Sequence, residues 1–169
     1  QVFNQPLNNW NISNVDNVSS MFDRASSFNQ PLNLWNLSNV TSFQNMFNRA
    51  SSFNQDITGW NTSSITNMSG MFTSASTFNQ NLGVWDISSV TNMANMLSNS
   101  GLSQENYDNT LIAWSTQNVQ SNVTVGAEGL NFCNAEAARN TLINNKGWNF
   151  VGDTLDCSAN ICDGFSVTA

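Results

Sequence analysis

The sequence predicts an α/β repeat protein in which short strands and short helices wind into a right-handed solenoid, closed by an α+β cap at the C-terminal end. Three amino acids recur at intervals of 25 residues: phenylalanine, tryptophan and methionine. They occupy Phe3, Phe28, Phe53 and Phe78; Trp10, Trp35, Trp60 and Trp85; and Met21, Met46, Met71 and Met96. Such a period indicates one small unit stacked on copies of itself. A unit of this length cannot bury its own apolar side chains, so each copy must pack on its neighbours.

The first half of each repeat predicts a short strand. In the first copy, this segment is apolar at Leu7, Trp10 and Ile12. Alternate residues of a strand point to opposite faces, so Trp10 and Ile12 would face inward and Asn11 would face outward.

The second half of each repeat predicts a short helix. Its apolar residues are spaced by three and four and would form one helical face: Val15, Val18, Met21, Phe22 and Ala25. A Ser-Asn or Ser-Ser pair before each helix supplies an N-cap, and a Phe-Asn-Gln stretch turns the chain toward the next strand. Strand, helix and turn in this order are typical of a leucine-rich repeat, and four such repeats fill residues 1–100.

Stacking in register places equivalent side chains over one another. The tryptophans and the phenylalanines are therefore expected to form internal columns. Amide side chains form two further columns: Asn4, Asn29, Asn54 and Asn79, with Gln5, Gln30, Gln55 and Gln80 beside them. Stacked amides can bond from coil to coil, so we interpret these columns as structural, with ligand binding as the alternative.

The period fails after residue 100, and residues 101–157 are predicted to form a cap that covers the last coil. A helix is expected over 103–116, with Ser103 as its N-cap and an apolar face that includes Trp114. The remaining elements are a strand at 123–125, a helix capped by Asn134 and ending near Gly147, and a final strand at 148–151. Residues 158–169 are interpreted as a tail or a linker to a following module.

Composition argues against several classes of partner and activity. The net charge is −7, which opposes binding to nucleic acid or to an anionic membrane. No apolar run approaches the length of a membrane span, so we expect no direct membrane insertion. The chain has no histidine and one tyrosine, and its repeat carboxylates are scattered over different repeat positions: Asp16, Asp23, Asp56 and Asp86. We therefore expect neither an enzyme nor a cofactor site.

Two of the three cysteines are predicted to form a disulfide. Cys133 and Cys157 flank the second cap helix and the last strand, and a bond between them would tie the chain to the cap and imply an oxidising compartment. Cys162 is left to pair elsewhere, to compete for Cys157 or to remain free. Without histidine or a C-x-x-C pair, a metal site on these cysteines is not expected.

Three aspartates near the C-terminal end leave two interpretations open. Asp153, Asp156 and Asp163 could hold calcium through carboxylate oxygens, although their spacing matches no calcium loop. The alternative, which we favour, is that they are ordinary acidic surface residues.

The string N-x-S-x-V-T-N-M-x-x-M-F-x-x-A-S-x-F-N-Q resembles the BspA-like leucine-rich repeats of bacterial surface proteins. It is seen best in the third repeat, at 65–68, Met71, Phe72, Ala75 and 78–80. The segment from Tyr107 through Cys133 to Cys157 resembles the C-terminal cap of such proteins. The resemblance implies a secreted or surface-anchored bacterial protein that binds host or environmental macromolecules, and it offers no catalytic residues.

The first functional hypothesis is a non-enzymatic binding and adhesion module for a protein or a polysaccharide. Its candidate ligand face consists of the outward strand residues and their neighbours: Asn9, Asn11, Leu34, Asn36, Gly59, Asn61, Val84 and Asp86. A second hypothesis is a structural spacer within a larger surface protein, since residue 1 falls inside a repeat and we expect a longer multi-module chain. A third is an ice- or crystal-binding solenoid, which is less favourable because threonine recurs at one repeat position, Thr41, Thr66 and Thr91, and no paired threonine rows appear.

Overall fold

The computed structural model describes residues 2–158, which contain a stack of four coils followed by a cap. We number the coils by their 25-residue periods: coil 1 ends at residue 25, coil 2 covers 26–50, coil 3 covers 51–75 and coil 4 covers 76–100. Parallel backbone bridges join Ser42 to Asn67 and Asn67 to Asn92, so successive coils lie side by side in register. One hydrophobic core runs from Leu7 in coil 1 to Trp148 in the cap.

The predicted short helix of each repeat does not form. This segment is instead a run of turns whose amides alternate between two kinds of acceptor. In coil 1, the N–H of Met21 donates within the coil to Val18 (3.2 Å), whereas the N–H of Phe22 donates to Met46 of the next coil (2.9 Å). An α-helix would direct every N–H to the carbonyl four residues earlier. Hydrogen bonds between coils have replaced those bonds.

Left-handed backbone accounts for the change from helix to turn. Ser20 and Arg24 both have φ of 57°, and the equivalent residues of the later coils also have positive φ. An L-residue in this conformation interrupts a right-handed helix. The described residues with positive φ in the later coils are Asn45, Arg49, Gly70, Ser74, Asn95 and Asn99.

The predicted strand at Leu7–x–x–Trp10–x–Ile12 is also wrong. The N–H of Trp10 donates to the carbonyl of Leu7 at 2.9 Å, which closes a turn. The extended pairing lies instead at Ser42, Asn67 and Asn92, inside the segment that was predicted as a helix. Periodicity correctly separated inward from outward residues in coils 2 to 4, but it did not identify the backbone geometry.

Tryptophan and phenylalanine columns fill the interior of the stack. Trp35, Trp60 and Trp85 are buried, and each indole N–H donates to a carbonyl of the preceding coil at 2.9–3.2 Å. Phe47 stacks on Phe53 with ring centroids 4.0 Å apart. Trp10 and Phe3 are the exceptions, because both are exposed at the first coil.

The amide columns hold the coils together, as the structural interpretation expects. The side-chain oxygen of Asn54 accepts from the backbone N–H of Asn79 at 2.8 Å and from the side chain of Gln80 at 2.8 Å. The oxygens of Asn4 and Asn29 make the equivalent bonds to the coils that follow them.

All helices and multi-residue strands among residues 2–158 lie in the cap. They are α1 (Gln104–Ser115), β1 (Thr124–Gly126), β2 (Asn131–Phe132), α2 (Glu136–Lys146), β3 (Asn149–Val151) and β4 (Thr154–Leu155). The strands form two parallel pairs, β1 with β3 and β2 with β4. Ser103 caps α1 by accepting from the N–H of Asn106 (3.3 Å), and α2 ends at Gly147 in left-handed conformation, as expected.

Asn134 does not cap α2, contrary to prediction. The carboxylate of Asp108, on α1, accepts the N–H groups of Cys133, Asn134 and Ala135 at 2.9–3.3 Å. These amides belong to the turn that leads into α2, and a carboxylate next to a helix N-terminus interacts favourably with the helix dipole. Asp108 therefore joins α1 to the segment that leads into α2.

The cap continues the stack after a longer step. Trp114 donates to the carbonyl of Leu82, 32 residues before it, at 3.1 Å. Trp148 then donates to the carbonyl of Gln120, 28 residues before it, which is the separation that Trp35 keeps from Leu7. Met93 also forms a parallel bridge to Val125 in β1. The sequence period is lost after residue 100, but hydrogen bonds of the coil-to-coil type continue in the cap at Trp114 and again at Trp148.

Candidate functional site

All eight residues of the candidate ligand face are exposed and lie on one flank of the stack. They form two neighbouring rows along the four coils. The first row contains Asn9, Leu34, Gly59 and Val84. We call it the apolar row because Leu34 and Val84 are its largest apolar side chains. The polar row contains Asn11, Asn36, Asn61 and Asp86.

The side-chain oxygens of the polar row hold turns. Asn11, Asn36 and Asn61 each accept the backbone N–H of the serine two residues later at 3.1 Å. Asp86 accepts the N–H of Ser88 at 2.9 Å. This is the Asx-turn arrangement, in which the side chain stabilises its own loop. The polar row therefore stabilises turns. Only those of its polar atoms that close no turn are left to bind a ligand.

Two exposed aliphatic side chains stand on either side of a gap in the apolar row. Leu34 is 64% exposed and Val84 is 68% exposed. Gly59 lies between them, and a methyl group added there would meet no other atom within 4 Å. The backbone N–H of Leu34 is fixed by the side-chain oxygen of Asn8 at 3.0 Å, and Asn8 also donates to Asn33 at 3.0 Å. The row is thus an apolar surface on a firmly bonded backbone.

One hollow adjoins the candidate face. This hollow, of ≈ 370 Å³, lies where coil 4 meets the cap and is lined by Val84, Asp86, Ser88, Gln117 and Asn118. Hydrogen bonds from Ser88 lower the pKa of Asp86, so its carboxylate is charged at neutral pH. Sequence reasoning missed Gln117 and Asn118, because no repeat or motif marks them.

Gln117 fastens the cap to the candidate face. Its side-chain nitrogen donates to the carbonyl of Trp85 at 2.9 Å, and its oxygen accepts the N–H of Ile87 at 3.0 Å. These bonds fix the backbone on both sides of Asp86. The edge of the hollow is therefore rigid before any ligand arrives.

The threonine row lies away from this face and is engaged in the stack. Thr66 donates its hydroxyl to the carbonyl of Thr41 at 3.3 Å, and Thr91 donates to Thr66 at 3.2 Å. Hydroxyls that bond along the coil axis are less available to ice or a mineral surface. Thermal hysteresis measured on the purified chain would test the ice-binding hypothesis directly.

The structure describes two of the three aspartates for which calcium binding was the less favoured interpretation, and Asp153 is not the surface residue that the favoured interpretation expects. Asp153 is buried in an ion pair with Arg139, with Nε–Oδ2 and Nη2–Oδ1 distances of 2.8 and 2.9 Å, and it also accepts the hydroxyl of Tyr107 at 3.0 Å. Asp156 is partly exposed nearby, and Asp163 lies outside the described residues. Residues 2–158 contain no group of three or more histidine, cysteine, aspartate or glutamate side chains placed to hold a metal ion.

The Arg139–Asp153 pair stabilises the cap. The Arg139 guanidinium lies between the rings of Phe132 and Phe150, 4.9 and 4.8 Å from their centroids. Its hydrogen bonds to Asp153 raise the pKa of Arg139. Burial, followed by the negative charge of Asp153, raises the pKa of Tyr107 well above its usual value, so its hydroxyl stays protonated and acts as a donor.

The structure contains the predicted disulfide between Cys133 and Cys157. It joins the segment before α2 to the end of β4, next to the amides that Asp108 holds. Cys162, the third cysteine, lies outside the described residues. A disulfide is consistent with an extracellular or otherwise oxidising location.

The family model described as "Mycoplasma protein of unknown function, DUF285" matches residues 1–114 and 30–139. The chain belongs to this family. The two matches overlap, and the second covers α1 and Cys133 of the DUF285 chain. No curated protein and no solved structure matches the chain. Among residues 2–158, no helix is long and apolar enough to cross a membrane.

Proposed function

We propose that this DUF285 chain is a non-enzymatic binding and adhesion module of a bacterial cell surface, whose stacked coils present an extended face to a protein or a polysaccharide. We further propose that the coils form a right-handed solenoid of the leucine-rich-repeat kind, like the BspA-like proteins that its sequence resembles. The register of parallel bridges every 25 residues supports this architecture. One observation carries the functional proposal: Leu34 and Val84 are exposed in a row on a rigid flank, with open space at Gly59 between them.

The chemistry of the face suits ligands that combine an apolar surface with hydroxyl or amide groups. Leu34 and Val84 offer contacts to the apolar side of a sugar ring or to aliphatic side chains. The neighbouring polar row contributes amide groups and the charged Asp86. Since coil-to-coil bonds already order this backbone, binding loses little conformational entropy.

The proposed location follows from the disulfide together with the family resemblance. Disulfides persist in oxidising environments and are rare in reducing ones. The bond between Cys133 and Cys157 therefore supports secretion or display on the cell surface.

A glycan array and a panel of extracellular-matrix proteins would test the proposal. Leu34→Glu and Val84→Glu place a charge on the apolar row without touching the core, and Ser52→Glu is the matched control at another exposed position. The proposal expects an interaction that both row variants weaken at least about tenfold, or by 1.4 kcal/mol, and that the control leaves unchanged. Binding that survives both row variants would remove this face from consideration.

A structural spacer is the second candidate, and the bonding of the polar row favours it. The oxygens of Asn11, Asn36, Asn61 and Asp86 are all used to close turns. A chain that binds no member of either panel would support the spacer over the binding module.

A further inference from the structure

The amino-terminal end of the stack exposes side chains that are buried in every other coil. Phe3 is 38% exposed, Trp10 61% and Met21 43%. Their equivalents in coils 2 to 4 are at most 5% exposed: Phe28, Phe53, Phe78, Trp35, Trp60, Trp85, Met46, Met71 and Met96. We call the surface formed by Phe3, Leu7, Trp10, Met21 and Phe22 the end face, and it surrounds a hollow of ≈ 240 Å³. Contiguous exposed apolar surface of this kind marks an interaction site.

Backbone carbonyls on the end face have the same spacing as the carbonyls that accept hydrogen bonds between coils. In the stack, the turn N–H groups of one coil donate to the carbonyls of the next, as Phe22 donates to Met46 and Phe47 donates to Met71, both at 2.9 Å. The equivalent acceptor on the end face is the carbonyl of Met21, flanked at alternate positions by those of Ser19 and Asp23. Among residues 2–158, these three carbonyls accept no backbone N–H.

The indole of Trp10 completes this set. Trp35 donates its Nε1–H to the carbonyl of Leu7, and Trp60 donates to Leu32. Trp10 presents the same donor on the end face, with no acceptor within the described part of the chain. The end face therefore offers these three acceptors and, besides the Trp10 indole, the donor groups of Asn4 and Gln5, whose equivalents in coil 2 donate to coil 1.

We infer that the end face binds one further coil of the same 25-residue type, running in the same direction and continuous with the stack. Its turn amides would donate to the carbonyls of Ser19, Met21 and Asp23, and its leucine carbonyl would accept from Trp10. Its apolar side chains would cover Phe3 and Met21. Two copies of the chain meeting through their end faces would not place these donors and acceptors in the register of a coil, so the pattern of bonds favours a coil over a second copy.

Oxidation of methionine in the native chain provides the test. Met21 is exposed, whereas the other five methionines are fully buried, so dilute hydrogen peroxide should oxidise Met21 first. Joining a copy of residues 26–50 ahead of Gln1 adds one coil in register. In this fusion, Met21 should be oxidised at least about tenfold more slowly, because the added coil covers its side chain. Peptide mass spectrometry distinguishes Met21 from the copied methionine, which should take over the fast rate.

The matched control is the same fusion with Leu32→Asp and Phe47→Asp inside the copied segment, since both residues are fully buried in coil 2. Met21 should then react as it does in the parent chain. The inference is overturned if the unaltered coil leaves Met21 as reactive as in the parent, or if both fusions protect it equally. Protection of Met21 in the parent chain that rises with protein concentration would also overturn it, because a second copy would then occupy the end face.

Discussion

In coil 3, the indole of Trp60 donates to the carbonyl of Leu32, and in the cap the indole of Trp114 donates to the carbonyl of Leu82, both at 3.1 Å. Trp60 lies outside any helix, whereas Trp114 lies inside α1. The amide columns also continue from coil 4 into the cap. The oxygen of Asn79 accepts the N–H of Ser103 and the side chain of Asn106, in place of the asparagine and glutamine of a fifth repeat.

The surface of coil 4 that faces the cap therefore requires particular hydrogen-bond donors. It does not require that these donors come from one backbone conformation. The cap supplies the same donors from a helix, after a step of 32 residues instead of 28. Gly126 makes this docking possible, because a side chain there would meet the backbone N of Asn95 at 2.3 Å. A helix and a run of turns can therefore occupy the same layer of the stack.

The two regions differ in what reinforces them. Each interior coil is held on both sides by copies of itself, through bonds that recur with the repeat. The cap has a neighbour of that kind on only one side, and it adds a disulfide, a buried carboxylate at Asp108 and the ion pair of Arg139 with Asp153. Each interior coil is stabilised by hydrogen bonds that recur with the repeat. In the cap, a disulfide and charged side chains take their place.

The largest effect is expected from the buried tryptophans. Trp60→Ala and Trp114→Ala should each lower the free energy of unfolding by about 3–5 kcal/mol, because each empties a core site and leaves a carbonyl without its donor. Trp10→Ala, at the exposed position, should cost less than about 1 kcal/mol. Urea unfolding followed by circular dichroism measures all three. A small loss at Trp114 beside a large one at Trp60 would mean that the cap is not part of the stack.

Removing the disulfide comes next. The double variant Cys133→Ser, Cys157→Ser should lose about 2–4 kcal/mol, since the bond restricts the unfolded chain. Hydrogen exchange should become faster in α2 and β4, while the amides of coils 2 and 3 should keep their protection. Equal loss of protection in both regions would show that they unfold as one unit.

Asp108→Asn should cost about 1–3 kcal/mol, because one of its two acceptor oxygens becomes an amide donor facing N–H groups. Glu105→Gln on the same helix is the control and should change stability little, since the structure gives Glu105 no bond of this kind. Thermal unfolding of the two variants gives the difference. Equal stability of both would remove Asp108 from the support of α2.

Alkaline pH should affect the cap through Tyr107. Its pKa is raised in the folded chain, so the stability that it contributes is present below its ordinary value of 10.0 and is lost as pH rises above it. The unfolding temperature of the parent chain should therefore fall more steeply above pH 10 than that of Tyr107→Phe. Parallel curves for the two chains would contradict the expectation.

Acidic pH should affect the repeats through Asp86, and this is the smallest effect. The pKa of Asp86 is lowered by its hydrogen bonds with Ser88, so its contribution is present above the ordinary value of 3.8 and is lost as pH falls through the folded value. Asp86 is exposed, and solvent screening keeps the contribution small. NMR titration of its carboxyl carbon should give a midpoint below 3.8, and a midpoint at or above that value would contradict the assignment.

Much of this arrangement could be predicted from the period alone. Burial of Trp35, Trp60 and Trp85 followed from spacing, because residues at the same repeat position must meet the same surroundings. Exposure of the candidate ligand face followed for the same reason. Gln117 and Asp108 could not be found this way, since each acts on residues that lie about 25 or more positions away and outside the repeat pattern.

By itself, the sequence determined the 25-residue stacking register, the division of each repeat into inward and outward residues, and the cysteine pair that lies 24 residues apart. Only the tertiary structure decided that the repeats are turns and not helices, that Asp108 holds the turn before α2, and that Trp10 is left uncovered. The physical reason is that a backbone amide has one hydrogen to donate. The spacing of apolar residues shows which side chains are buried. It does not show whether a backbone N–H donates along its own chain or to the adjoining coil, because that depends on how the coils pack.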